Sequence, residues 1–309
     1  MILTVTLNPA VDKTYTAALL LPGQVNRMKT VRNLPGGKGI NVTKLLRQYG
    51  HEVMACGFLG GYNGAFIRKS MEELRVDCRF TETAEETRCS INVIAEDGYI
   101  TELLEPGPGI SEAELSCFKE GYRKALQEAE LVVLSGSVAG GISADIYGDL
   151  IRMASEAGKK TFLDTSGEPL VLGAAAGPCM IKPNLKELEY LAGHKIKGVE
   201  DAAEAAIRFK DRGLETVVVS MGRKGLLAVR GEEVLWARAP QVRTVNTVGC
   251  GDSVVGSWVM SYLRQDSLAD SLRQAAAIAA ANAATMESGT ISRALAEELA
   301  SQIEISSLK

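Results

Sequence analysis

Apolar, β-branched runs recur along the chain at residues 2–7, 53–58, 131–134, 161–163, 180–181 and 216–219. Between and after them lie stretches with apolar residues at helical spacing, at 38–49, 65–74, 111–128, 144–157, 201–212, 252–263 and 268–286. Short runs that are apolar at consecutive positions suit strands buried on both faces, and the intervening helices supply the crossovers of a parallel sheet. The pattern therefore predicts an α/β protein with a mostly parallel sheet covered by helices. Residues 13–34 and 88–105 break this rhythm. In the second of them, alternation at Cys89-Ser90-Ile91-Asn92-Val93 and a turn at Glu96-Asp97-Gly98 read as antiparallel strands, and together the two segments are expected to form a small β lid. No internal repeat, low-complexity tract or Gly/Ser linker divides the chain, so residues 1–309 are read as a single domain carrying that lid.

Composition narrows the function classes. With 309 residues, 46% of them hydrophobic and 23% charged, the chain can bury a large core. The net charge of −4 and the scattered Lys and Arg residues leave no basic face for a nucleic acid. No stretch approaches the ~20 apolar residues of a bilayer crossing, and the strand-like start at residues 1–5 lacks a cationic leader, so a cytoplasmic protein without a membrane partner is expected. Six dispersed cysteines and two histidines have neither zinc-site nor disulfide-framework spacing. Most of the cysteines read as small buried apolar residues in a reducing compartment, with Cys250 set apart by its position.

That position is the segment Asn246-Thr247-Val248-Gly249-Cys250-Gly251-Asp252-Ser253, followed at once by helix-compatible sequence. Two glycines around one small residue let successive N–H groups and the positive end of the new helix converge, which favours an anion. Asp252 directly after this turn either caps the helix or accepts a proton from a hydroxyl approaching that anion. A second glycine cluster, Leu34-Pro35-Gly36-Gly37-Lys38-Gly39-Ile40-Asn41-Val42, also opens a helix. Gly36 and Gly37 admit a polar ligand to the backbone, and Asn41 offers a donor and an acceptor to sugar hydroxyls. Neither a P-loop nor a dinucleotide fingerprint is present, and Gly57–Gly64 reads as a tight loop. Asp12, Arg27, Lys38 and Arg88 are charges suited to sugar hydroxyls and to a phosphate already on the sugar. In Lys182-Pro183-Asn184-Leu185-Lys186-Glu187, Asn184 and Glu187 have the spacing of a capping box.

These segments, with Ser135-Gly136-Ser137 between them, resemble in order and content the phosphofructokinase B branch of the ribokinase-like carbohydrate kinases, over essentially the whole chain. The Thr-Leu-Asn-Pro-Ala-Val-Asp start and Thr-Glu-Leu-Leu-Glu-Pro-Gly-Pro at 101–108 are most similar to 1-phosphofructokinase and tagatose-6-phosphate kinase. The resemblance implies a three-layer ribokinase-like fold and phosphoryl transfer from ATP to a ketohexose monophosphate. Fructose 1-phosphate is the first reading, and tagatose 6-phosphate or fructose 6-phosphate the alternative. It implies that Asp252 is the general base, with Gly249, Cys250 and Gly251 as the backbone anion hole. Asp12, Gly36, Gly37, Lys38, Asn41 and Ser137 would bind the sugar, with Arg88 and Arg27 gripping its phosphate. Lys182, Asn184, Glu187, Ser220, Gly222 and Asn282 would serve the nucleotide, Asn184 and Glu187 organising Mg2+ through water. Potassium is a further candidate cofactor, and a homodimer paired through the lid a candidate assembly. Cys250 replaces the Ala or Ser usual in the family, and at a helix N-terminus its thiol pKa is expected to fall. Lys38 is expected to await a ligand phosphate as an unpaired ammonium. A non-catalytic sugar-phosphate-binding protein and a dinucleotide-dependent oxidoreductase are the readings from other classes, disfavoured by Asp252 with its glycines and by the missing fingerprint.

Overall fold

The structure, a computed structural model, describes residues 1–211 and 213–308. Strands β1 (Ile2–Thr6), β2 (Ala10–Ala17) and β3 (Thr30–Gly36) lead into α1 (Lys38–Gln48), β4 (Val53–Leu59) and α2 (Gly61–Glu73). Short strands β5 (Asp77–Cys78) and β6 (Thr81–Glu82) precede β7 (Cys89–Ala95), β8 (Ile100–Leu104) and α3 (Glu112–Glu128). The chain continues through β9 (Leu131–Ser135), α4 (Ile146–Glu156), β10 (Lys160–Asp164), α5 (Glu168–Ala175), β11 (Met180–Ile181), α6 (Leu185–Ala192) and α7 (Val199–Lys210). It closes with β12 (Thr216–Ser220), β13 (Leu226–Arg230), β14 (Glu233–Ala237), α8 (Cys250–Arg264), α9 (Leu268–Ala283), α10 (Arg293–Ser301) and β15 (Ile305–Ser307).

The main sheet has the order β15-β14-β13-β12-β11-β10-β9-β1-β4-β5, with β6 also on β4. Its pairs are parallel from β5 to β12 and antiparallel from β12 to β15. Alternation along a strand sends side chains to opposite faces, and here both faces are covered. In β9, Val132 and Leu134 pack with Phe118 and Tyr122 of α3 and Leu150 of α4, while Leu131 and Val133 pack with Leu45 and Leu46 of α1 and Trp258 of α8. The result is the predicted three-layer α/β arrangement. Burial of each such side chain contributes about 1.5–3 kcal/mol, which explains the uninterrupted apolar character of these strands.

A separate four-stranded sheet, β3-β2-β7-β8, stands beside the main one. Its β7–β8 hairpin turns where the sequence predicts, whereas β2 starts at Ala10, before the predicted segment, and pairs in parallel with β7. Residues 18–29 carry no strand. Val11 and Cys89 of this sheet pack with Ile40 of α1 and Ile67 of α2, fixing the sheet against the end of the molecule where α1 begins.

Other departures have local causes. Helix α2 starts at Gly61, inside the predicted loop, because the Glu86 carboxylate accepts from Tyr62 N at 3.2 Å and Asn63 N at 2.6 Å and so caps the turn. Helix α8 begins at Cys250 rather than 252, and α9 ends at Ala283 rather than 286. The predicted end of the helix at 201–212, Arg212, lies outside the described residues. Among the described residues no helix is long and apolar enough to cross a membrane.

Candidate active site

Polar residues gather where β10 ends, the chain leaves β11, and α1 and α8 begin. This is the carboxyl edge of the parallel strands, where open α/β sheets leave room for ligands. Asp252 is the third residue of α8, and α1 reaches it: Asn41 Nδ2 donates to Asp252 Oδ2 at 2.8 Å. Asp252 is buried, and that burial, with the nearby Asp164 carboxylate, pushes its pKa up to about 6 against the opposing pull of Lys38, Asn41 and Lys182.

Asp164 ends β10 between two ammonium groups, with Lys38 Nζ 3.1 Å and Lys182 Nζ 3.4 Å from its Oδ1. Its burial alone would raise its pKa, but the two cations outweigh this and hold the carboxyl below its usual value. Lys38 is the mirror case: burial pulls its pKa down, while Asp164, Asp252 and Glu187 carry the net shift upward. Lys38 is therefore already paired, contrary to the expectation of a free ammonium waiting for a ligand. Its side chain nonetheless stays 36% exposed, so a second anion can reach it.

Gly249 adopts the left-handed region at φ 83°, and a Cβ there would lie 2.9 Å from Ser288 Cβ, so both conformation and space call for glycine. Ser253 N donates to Gly249 O at 2.8 Å, which closes the first turn of α8. Lys182 Nζ lies 3.2 Å from where a Gly251 Cβ would stand, so one of the two cations sits over the turn. The helix N-terminus with its outward N–H groups, flanked by Lys38 and Lys182, makes a corner beside a carboxylate whose chemistry suits an anion.

Cys250 corrects an expectation. Its thiol is pushed up from its ordinary pKa by burial and by Asp252, although Asn282 opposes this. The half-buried position outweighs the helix N-terminus. Asn282 also departs from prediction as a nucleotide contact. It is 1% exposed, its amide nitrogen donates to Val248 O at 2.8 Å and Cys250 Sγ at 3.4 Å, and its Oδ1 accepts from Ser253 Oγ at 3.2 Å and Gly289 N at 3.0 Å. With both donors and both lone pairs engaged, it shapes the turn and has nothing left for a ligand.

On the side of the second sheet, Asp12 packs directly over Gly36, where an added Cβ would overlap its carboxyl group. Burial raises the Asp12 pKa to about 6, with Lys44, Arg88 and Ser90 pulling the other way. Arg88 donates from Nε and Nη2 to Asn8 O at 3.4 and 3.3 Å and from Nη1 to Glu105 O at 3.2 Å. Asn8 Nδ2 in turn donates to Ser137 Oγ at 3.2 Å. Gly37 has φ 102° at the N-cap of α1. Arg27 does not join this group: it is exposed in the strand-free segment 18–29 and makes no ion pair among the described residues.

Asn184 and Glu187 form the predicted capping box on α6, with Asn184 N donating to Glu187 Oε2 at 2.8 Å and Glu187 N to Asn184 Oδ1 at 2.9 Å. Ser220 ends β12 and bridges to Asn184, and Gly222 opens the turn after it. Among the described residues no cluster of three His, Cys, Asp or Glu side chains could hold a metal directly. Asp164 Oδ2, however, is buried without a hydrogen-bond partner, and the Glu187 carboxylate lies close enough to act on Lys38 beside it. Two carboxylates so placed fit a hydrated divalent cation bound through its waters.

The sequence reading missed Asp164, Lys44 and Asn8. The signal for Asp164 was its place just beyond the apolar run at 161–163, at the carboxyl end of a parallel strand. Lys44 is the one charged residue in the buried row Val42, Thr43, Lys44, Leu45 and Leu46 of α1.

A profile of the pfkB family carbohydrate kinases matches residues 5–294. Tagatose-6-phosphate kinase of Staphylococcus epidermidis is 36% identical over 310 residues, 99% of this chain and 99% of that protein. Phosphofructokinase-2 from Escherichia coli, solved in complex with potassium, has a TM-score of 0.90 at 28% identity, with 97% of this chain and 98% of that chain covered. A Thermotoga maritima protein described as a possible 1-phosphofructokinase has a TM-score of 0.91 at 26% identity over 100% of both chains. The fold is ribokinase-like, and the chain belongs to the pfkB family of carbohydrate kinases.

Proposed function

We propose that this kinase transfers the γ-phosphoryl group of ATP to a hydroxyl of a ketohexose monophosphate, with Asp252 accepting the hydroxyl proton. The observation that carries the reading is the buried Asp252 at the start of α8, its pKa raised to about 6, beside the Gly249–Gly251 turn and the Lys38–Asp164–Lys182 cluster. A carboxylate with a pKa near 6 is ionised at neutral pH yet basic enough to take a proton as the oxygen attacks. The N–H groups of the turn and the two lysines would stabilise the charge on the migrating phosphoryl group, so catalysis is positioning and electrostatics. Asp12, Gly36, Gly37 and Asn41 would hold the sugar, with Arg88 and Ser137 at its far end. Lys182, Asn184, Glu187, Ser220 and Gly222 would face the nucleotide. Magnesium would neutralise ATP phosphate charge, its water shell held by Asp164 Oδ2, Asn184 and Glu187. Potassium, a candidate from the family resemblance, is compatible with the Escherichia coli relative solved in complex with it.

Fructose 1-phosphate is the first acceptor. Tagatose 6-phosphate is the second, favoured by the Staphylococcus epidermidis relative at 36% identity. Both give a 1,6-bisphosphate, so both require a cationic grip on one end of the sugar and the anion corner at the other. The second sheet, β3-β2-β7-β8, would act as a lid. Ile100, Leu103 and Leu104 of β8 and Val31 of β3 are 48–62% exposed, which supports pairing of two such lids in a homodimer. ADP release measured with fructose 1-phosphate, tagatose 6-phosphate and fructose 6-phosphate tests the substrate. Asp252→Asn tests the base, with kcat expected to fall by about 10²-fold or more while ATP still binds. Turnover within about twofold of the parent would remove Asp252 from that role.

A further inference from the structure

Lys44 is a lysine in the wrong place for an ordinary surface charge. It lies on α1 between Val42 and Leu45, both fully buried, and is itself only 9% exposed. Burial lowers its pKa, and the charges that face it come from three other elements: Asp12 of β2, Glu287 of the segment after α9, and Asp252 of α8. Its ammonium donates to Asn41 Oδ1 at 3.2 Å and to Pro35 O at 3.3 Å. Asn41 Nδ2 then donates to Asp252 Oδ2 at 2.8 Å. The three side chains form a line with one polarity: ammonium, amide oxygen, amide nitrogen, carboxylate.

An asparagine amide has two orientations that occupy the same space, and its partners decide between them. Here one partner can only donate and the other, when ionised, can only accept. Flipping Asn41 would set its NH2 against the ammonium and its oxygen against the carboxylate, so both contacts would become repulsive. Gly289 closes over the same residue, where a Cβ would lie 2.9 Å from Asn41 O, leaving the helix backbone there little freedom to compensate. The bond to Pro35 O ties the ammonium to the residue before Gly36, the glycine on which Asp12 rests.

We propose that Lys44 is a positioning residue: it sets the orientation of the Asn41 amide, and through Asn41 it holds the Asp252 carboxylate toward the reacting hydroxyl and links it to the sugar-binding turn. The proposal rests on the reading of Asp252 as proton acceptor. It assigns Lys44 no contact with either substrate. Its effect should therefore appear in turnover and vanish when Asn41 can no longer transmit it.

The test is a double-mutant cycle on the full-length enzyme, with kcat and both Michaelis constants measured on folded, concentration-matched protein. Lys44→Met, close in length and uncharged, is expected to lower kcat by about tenfold with the KM for ATP changed less than about twofold, the mark of an interaction that matters in the transition state. In an Asn41→Ala background the same substitution is expected to cost less than about twofold more. Lys44→Arg, which restores a cationic donor, should recover part of the loss. If Lys44→Met does not fold, the cycle is run with Lys44→Gln, which drops the charge but remains polar. Equal losses from the Lys44 substitution with and without Asn41, or a rise in the KM for ATP with kcat unchanged, would overturn the proposal. An active Asp252→Asn enzyme would instead overturn the base assignment beneath it, so the two failures are told apart.

Discussion

Gly36 shows how a missing side chain can matter as much as a charged one. The Asp12 carboxyl group occupies the space that a Cβ on Gly36 would need, and both flank the turn that opens α1. Gly36→Ala must push Asp12 away from the place where it would meet a sugar hydroxyl, and a displacement of about 1 Å can cost on the order of 10²-fold in rate. The expected outcome is a loss of about that size in kcat/KM for the sugar phosphate, with the KM for ATP changed less than about twofold. An enzyme that keeps its sugar-phosphate kinetics would mean that Asp12 does not bind the sugar. At this scale the sequence displayed glycines, Asp12, Lys38, Asn41 and Asp252, because their motifs are local. Asp164 was hidden because its meaning lies in a partner far along the chain, Lys38 being 126 positions away. Lys44 was hidden because its neighbour Asn41, three positions off, matters only through Asp252, 211 positions beyond Asn41. Cys250 was misread for a related reason, since sequence shows the helix N-terminus but not the burial that dominates the thiol.

Among the elements, α6 has one residue with an observed duty and a proposed one. Asn184 caps the helix by accepting from Glu187 N, and its side chain is also assigned here to the nucleotide side. The duties can be separated by chemistry, because serine caps about as well as asparagine while alanine does not. Asn184→Ala is expected to lower unfolding stability by about 0.5–2 kcal/mol in urea titrations, and Asn184→Ser by much less. If Asn184 also orders magnesium-bound water, both variants should need more Mg2+ for half-maximal activity. Variants that differ in stability but match the parent in Mg2+ demand would leave Asn184 as a cap alone. This cap was legible because a capping box is written in four consecutive residues. Helix α5 was not, since Pro169, Gly173 and a run of Leu, Val and Ala give it no polar face to mark its period. The antiparallel strands β13 to β15 were equally silent: they continue the main sheet past β12, and the alternating βα rhythm on which the reading relied has ended there.

For the molecule as a whole, the arrangement that serves transfer is expected to weaken the fold. An aspartate with an ordinary pKa of 3.8 that titrates near 6 when folded is favoured in its protonated form by the native state. Below pH 4 Asp252 is protonated both folded and unfolded. Between about 4 and 6 only the folded state holds the proton, so stability falls as pH rises through this window, and the full cost, about 3 kcal/mol for a shift of this size, is present at neutral pH. Asp12, also raised to about 6, acts in the same direction. Asp164 acts in the opposite one, because Lys38 and Lys182 hold it below its usual value and it stabilises the folded state wherever it is ionised. Asparagine at 252 keeps an oxygen to accept from Asn41, removes the charge that repels Asp164, and leaves both lysines paired with Asp164. The inactive Asp252→Asn variant is therefore expected to be more stable than the parent by about 1–3 kcal/mol at pH 7.5, the exchange of stability for activity that buried catalytic charges impose. At pH 4.5 the folded parent is already neutral at this position, so most of that advantage should disappear. Urea unfolding of the two proteins, without nucleotide or sugar, at both pH values decides the matter. Equal stabilities at pH 7.5, or an advantage that persists undiminished at pH 4.5, would show that the Asp252 carboxylate is not the strained charge of this site.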